Sequence, residues 1–195
     1  VTVVPDQQIR LWRERYGADL AAAAAGREET VAWWAGLGED EPFLESDGRG
    51  GWLLTEAGSK FEGLFWADVA EGLVAEIIAA SDGAGASGRI SPGIRGSLPA
   101  AAFYQALGAA DSARMPGGLA DFLVAADEVA AGLGEVERLL ADGRREELAA
   151  RVDRWLDCAD SGAASQGRQM VDGLLQVFRL AAERGWGVAA CSVFF

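Results

Sequence analysis

Apolar positions recur along most of the chain at spacings of three and four, the period of a helix that buries one face. After Pro5-Asp6, the residues Ile9, Trp12, Tyr16 and Leu20 share one stripe, which predicts a helix to about Ala25 stopped by Gly26. A second, shorter helix covers Arg27 to Gly36 and carries Trp33 and Trp34. Asp47-Gly48-Arg49-Gly50-Gly51 reads as a turn between two extended pieces, Pro42 to Glu45 and Trp52 to Leu54. Thr55 and Ser59 both suit a helix N-cap, and Ser59 with Glu62 three residues on fits a capping box. The helix opened there is the most apolar in the chain and reaches about Ala80. Ser81 to Leu98 reads as a long Gly/Ser loop.

Ser97 and Pro99 start a helix through about Ala110, and Pro116-Gly117-Gly118 separates it from one at Leu119 to Leu133. Amphipathic segments follow at Glu135 to Ala141, Arg144 to Cys158 and Ser165 to Arg184. Leu148, Val152, Trp155 and Leu156 line one buried stripe; Met170, Leu174, Val177 and Phe178 line another. The tail from Gly185 to Phe195 is apolar and is expected to be buried, in the core or across a homodimer interface. The pattern as a whole predicts an all-α fold: one irregular helical bundle over residues 1–195, with one short β-hairpin near residues 42–54. A small N-terminal subdomain at 1–58 is the alternative division.

Composition narrows the chemistry. There are 30 acidic and 17 basic residues, a formal net charge of −13, and no histidine. A field of that sign disfavours nucleic acid and anionic membrane surfaces as partners. Without histidine, Ser-His-Asp and Cys-His nucleophiles, His-containing zinc sites and His-based pH switches all fall away. Cys158 and Cys191 match no metal or redox spacing, so no metal and no cofactor is expected. Two cysteines, no signal-peptide pattern at Val1 to Pro5 and no long apolar run point to a soluble cytoplasmic protein.

The stretch Gly51-Trp52-Leu53-Leu54-Thr55-Glu56-Ala57-Gly58 is similar to the wing strand of winged-helix domains, where a strand feeds "L-T-x-A-G" into a helix. The likeness is confined to that stretch and lacks the Arg/Lys-rich recognition helix of the DNA-binding members. It implies a winged-helix-like hairpin and nothing about activity. Gly83-x-Gly85-x-x-Gly88 spells the dinucleotide fingerprint, but that pattern has meaning only between a strand and a helix, and here it follows a helix. In the same loop Arg89 and Arg95 sit among Gly and Ser, a setting in which two guanidiniums can fold over a phosphate or carboxylate.

The apolar helix from Ser59 to Ala80 carries the sharpest candidate. Projected at about 100° per residue, Phe61, Phe65, Trp66, Val69, Leu73 and Ile77 spread over one face, and Glu62 and Glu76 project into it. Asp68 falls between the projections of Phe61 and Leu64. A carboxylate in such a face is paired, hydrogen-bonded or pushed to a raised pKa, and a raised-pKa Glu serves as a general acid near neutral pH. The expected function is therefore cofactor-independent acid–base chemistry, an isomerisation, cyclisation or elimination. Glu62, Glu76 and Asp68 would be catalytic, with Phe65, Trp66, Val69, Arg89 and Arg95 holding a largely apolar ligand with an anionic group. The alternative is a helical module that binds a ligand or a protein without catalysis, as a homo-oligomer.

Overall fold

The computed structural model describes residues 1–37, 43–65, 71–85, 88–90, 99–119, 121–157 and 166–191. Strand β1 (Thr2–Val4) leads into helix α1 (Asp6–Gly36), followed by strands β2 (Leu44–Ser46) and β3 (Trp52–Leu54). Helix α2 (Glu56–Glu62) runs into a 3-10 turn at Gly63–Phe65, and α3 (Glu71–Gly83) comes next. Helices α4 (Pro99–Leu107) and α5 (Ala109–Ser112) precede strand β4 (Phe122–Val124). Helices α6 (Ala126–Leu139), α7 (Asp142–Asp157) and α8 (Gln166–Arg184) then lead to strand β5 (Gly187–Ala190). About 72% of the described residues are helical, so the helical class read from the periodicity is the class the chain adopts.

The hairpin also stands where expected. β2 and β3 pair antiparallel, Leu44 against Leu54, and β3 passes directly into α2. Its turn is built by Asp47, whose Oδ1 accepts the backbone N–H groups of Arg49 and Gly51, while Gly48 and Gly50 take positive φ.

Several helix boundaries differ from the expected ones, those of α1 and of the apolar helix among them. Gly26 does not stop α1. An exposed interior glycine costs roughly 1 kcal/mol relative to Ala, and this helix is anchored on both sides of it by buried Ile9 and Trp12 and by buried Arg27 and Trp34. Of the apolar helix expected from Ser59 to Ala80, the described parts are α2 with its 3-10 turn and α3. Thr55, not Ser59, caps α2, its Oγ1 accepting the Gly58 N–H at 3.1 Å. The helical turns then tighten to 3-10 at Gly63–Phe65, and α3 is described from Glu71 to Gly83.

Three strands were not foreseen: β1, β4 and β5 form an antiparallel sheet in the order β1-β5-β4. β4 occupies the start of the segment expected to be a helix from Leu119. Because successive side chains on a strand point to opposite faces, the sheet divides the hydrophobic interior. Val3, Phe122, Val124, Val188 and Ala190 face the larger cluster, with Phe61, Trp155, Leu156 and Phe178. Val4, Leu123 and Ala189 face a smaller one, with Ile9, Trp12, Leu73 and Ile77. Phe61 centres the larger cluster, its ring 4.8 Å from Trp34, 5.4 Å from Phe43 and 5.6 Å from Trp155. On the other face α1 crosses β5 at Gly187, where any Cβ would lie 2.6 Å from Cγ1 of Ile9. Among the described residues no helix is long and apolar enough to cross a membrane.

Candidate functional site

Small residues on one face of α3 open a groove beside β1. Glu76, Ala79, Ala80 and Gly83 stand at i, i+3, i+4 and i+7, so they share one side of the helix. A methyl group is the largest side chain that Ala79 and Ala80 can offer, and a Cβ built on Gly83 meets nothing within 4 Å. Opposite stand the first turns of α1, and Val3 and Val4 of β1 lie between them. The space enclosed is about 1200 Å³, open to solvent, with Pro5, Leu11, Trp12, Ala84 and Trp186 as further apolar lining. Leu11, 44% exposed, offers an accessible apolar side chain to the groove.

Glu76 ties the two helices together at this groove. Its Oε2 accepts the indole N–H of Trp12 at 2.5 Å, and its Oε1 accepts the Tyr16 hydroxyl at 2.9 Å and an Arg15 N–H at 2.5 Å. Hydrogen bonds from Tyr16 and then Trp12, with the Arg15 guanidinium, hold its carboxyl below the ordinary Glu range. This reverses the expectation of a raised pKa. Donors on α1 reach Glu76 across the groove and stabilise the charged form. Glu76 is thus a carboxylate anchor at neutral pH and has no proton to give.

Glu62 and Glu76 stand beside different hydrophobic clusters. Glu62 is 8% exposed at the end of α2, next in the chain to Phe61 and the larger core cluster. Glu76 precedes Ile77, which belongs to the smaller cluster on the other face of the sheet. Phe65 is buried and stacks on Tyr104, ring centroids 5.6 Å apart, as core packing. Trp66, Asp68, Val69 and Arg95 lie outside the described residues. Arg89 is described: its side chain pairs with Asp82 at 2.9 Å and does not line the groove. Of the three glycines in the Gly-x-Gly-x-x-Gly pattern, Gly88 packs against β1, where a Cβ would lie 2.8 Å from Cγ2 of Val3.

A second polar cluster is enclosed between α1 and β4. Arg27 and Asp121 pair at 3.6 Å, with side chains only 9% and 1% exposed. Burial lowers the Arg27 pKa, and Asp121 opposes that shift. Nε and Nη2 of Arg27 find no hydrogen-bond acceptor among the described residues. Nearby, the hydroxyl of Tyr104 donates to the Gly118 carbonyl at 2.6 Å, and burial, with a smaller contribution from Asp121, raises its pKa. These groups are closed off from solvent, whereas the groove is reachable by a ligand. Among the described residues no three His, Cys, Asp or Glu side chains gather as a metal site would require.

Sequence reasoning missed the Glu76 anchor except for one signal: Trp12 and Tyr16 are spaced i, i+4 on a single helix face, each with a polar tip that seeks an acceptor when buried. The chain matches no family profile, no curated protein and no solved structure.

Proposed function

We propose that the protein is a ligand-binding module and that its site is the groove between α1 and α3, where a small, largely apolar molecule binds. The observation carrying this reading is the groove itself. The facing side of α3 is reduced to Ala79, Ala80 and Gly83, which leaves Pro5, Leu11 and Trp186 as accessible apolar lining over a closed base of Val3, Val4 and Trp12. Its volume is of the order of known small-molecule sites, roughly 300–1,000 Å³. The carboxylate at its wall is fully committed to three donors, which suits a rigid binding wall better than proton transfer. Acid–base catalysis is favoured by one observation only, the burial of Glu62. No residue of α2 is among the described lining of the groove, so that reading needs a different cavity.

The test is to fill the groove. Ala79 is exposed on α3, so Ala79→Trp places an indole in the open space at little cost to the fold. N-phenyl-1-naphthylamine, a neutral apolar fluorophore, is expected to bind the wild-type protein saturably. The variant is expected to bind it at least about tenfold more weakly, a loss of roughly 1.4 kcal/mol. Unchanged affinity in a folded Ala79→Trp protein would place the ligand elsewhere.

A further inference from the structure

We infer that the groove selects apolar organic cations: small molecules with a protonated or quaternary amine on an aromatic or aliphatic body. The inference rests on the groove being the binding site, and it adds the sign of the ligand's charge. Of the ionisable side chains that line the groove, Asp6, Glu14 and Glu76 are acidic and only Arg10 is basic. Arg10 is already committed, to Asp6 at 2.6 Å and towards Asp127 at 3.6 Å. Glu76 is likewise committed to its donors on α1. Glu14 differs from both: it has no ion-pair or hydrogen-bond partner among the described residues, so its carboxylate is available to an incoming cation.

The helix places that carboxylate usefully. Gln7, Leu11 and Glu14 stand at i, i+4 and i+7 on α1, so an amide, an apolar side chain and a carboxylate follow one another along the groove. A protonated amine has N–H donors and no acceptor and is matched by a carboxylate and an amide oxygen, whereas a quaternary amine is held by the carboxylate's charge alone. Trp186 belongs to the opposite end, since the residue after it, Gly187, pairs with Val4 of β1. Glu14 lies nine residues beyond Pro5, about 13 Å along the helix axis. Arg184 sits over the Trp186 ring, 5.0 Å from its centroid, and repels a second cation there. The charged end of the ligand therefore belongs at Glu14 and the apolar body towards Trp186. The net charge of −13 adds a long-range attraction of the same sign. This is opposite to the anionic group expected from Arg89 and Arg95, because Arg89 spends its charge on Asp82 away from the groove.

Three ligands that share one ring and differ in charge separate the alternatives: 1-naphthylmethylamine, 1-naphthylmethanol and 1-naphthylacetate, titrated calorimetrically at neutral pH and low salt. The amine is expected to bind roughly fivefold tighter than the alcohol, the gain typical of one exposed ion pair, and the carboxylate weakest of the three. Glu14 is exposed and makes no contact that the fold depends on, so Glu14→Gln should stay folded. It is expected to bring the amine down to the alcohol's affinity and to leave the alcohol unchanged. Equal binding of amine and alcohol to the wild-type protein, or a preference that survives Glu14→Gln, overturns the cation reading while leaving the groove as the site. Failure of the alcohol itself to bind overturns the groove reading as well.

Discussion

Deletion of residues 186–195 is expected to abolish cooperative folding. β5 is the middle strand of its sheet, with β1 on one side and β4 on the other, and its four residues are buried. Removing it strips both neighbours of their antiparallel partner and leaves their backbone donors and acceptors unpaired in an apolar interior, at a cost of about 1–3 kcal/mol for each group. It also opens both hydrophobic clusters at once, because Val188 and Ala190 belong to one and Ala189 to the other. Losses of that kind exceed the 5–15 kcal/mol or so that separates a typical domain from its unfolded state. Circular dichroism across a urea titration would show no sigmoidal transition, and the protein would elute as aggregate. A truncated chain with the wild-type midpoint and slope would mean that the sheet is not structural.

The second large effect is expected at Arg27. Arg27→Met keeps much of the volume and removes the charge, leaving Asp121, 1% exposed, without its guanidinium. Breaking a buried pair in this way typically costs roughly 3–5 kcal/mol. The pair itself contributes much less than that. Its 3.6 Å separation is long, two of the guanidinium nitrogens lack acceptors among the described residues, and burial outweighs Asp121 in setting the Arg27 pKa. The double variant Arg27→Met/Asp121→Leu is therefore expected to recover most or all of the wild-type stability, with an interaction energy far from zero in the thermodynamic cycle. Denaturation midpoints at unchanged slope are the measurement. A single variant that unfolds within about 1 kcal/mol of wild type would show that Asp121 does not depend on Arg27.

What could be read from the sequence follows the range of the interactions involved. The stripes of α7 and α8 and the hairpin turn at Asp47 are local patterns, and the structure shows them almost as expected. The strands β1, β4 and β5 are short runs buried on both faces, Thr-Val-Val, Phe-Leu-Val and Gly-Val-Ala-Ala. Such runs carry no alternation and cannot be told from pieces of a buried helix by period alone. Their pairing joins residue 2 to residue 189, a separation that no local window contains. The groove was hidden for a related reason. The sequence pattern marks Glu76 as a carboxylate on an apolar helix. Its partners Trp12, Arg15 and Tyr16 lie sixty residues or more earlier in the chain. Projecting one regular α-helix through Glu62 and Glu76 ignored the 3-10 turn at Gly63–Phe65, and the two carboxylates stand beside different hydrophobic clusters.

The central claim is that a ligand enters between α1 and α3. Titrating uniformly ¹⁵N-labelled protein with 1-naphthylmethanol and following amide and indole resonances tests it most directly. Shifts are expected in the first three turns of α1, in α3 from Glu76 to Gly83, and at the indole N–H groups of Trp12 and Trp186. Saturating shifts centred instead on α2 and on Phe61, Phe65 and Tyr104, with α1 and α3 unmoved, would contradict the claim and return attention to Glu62.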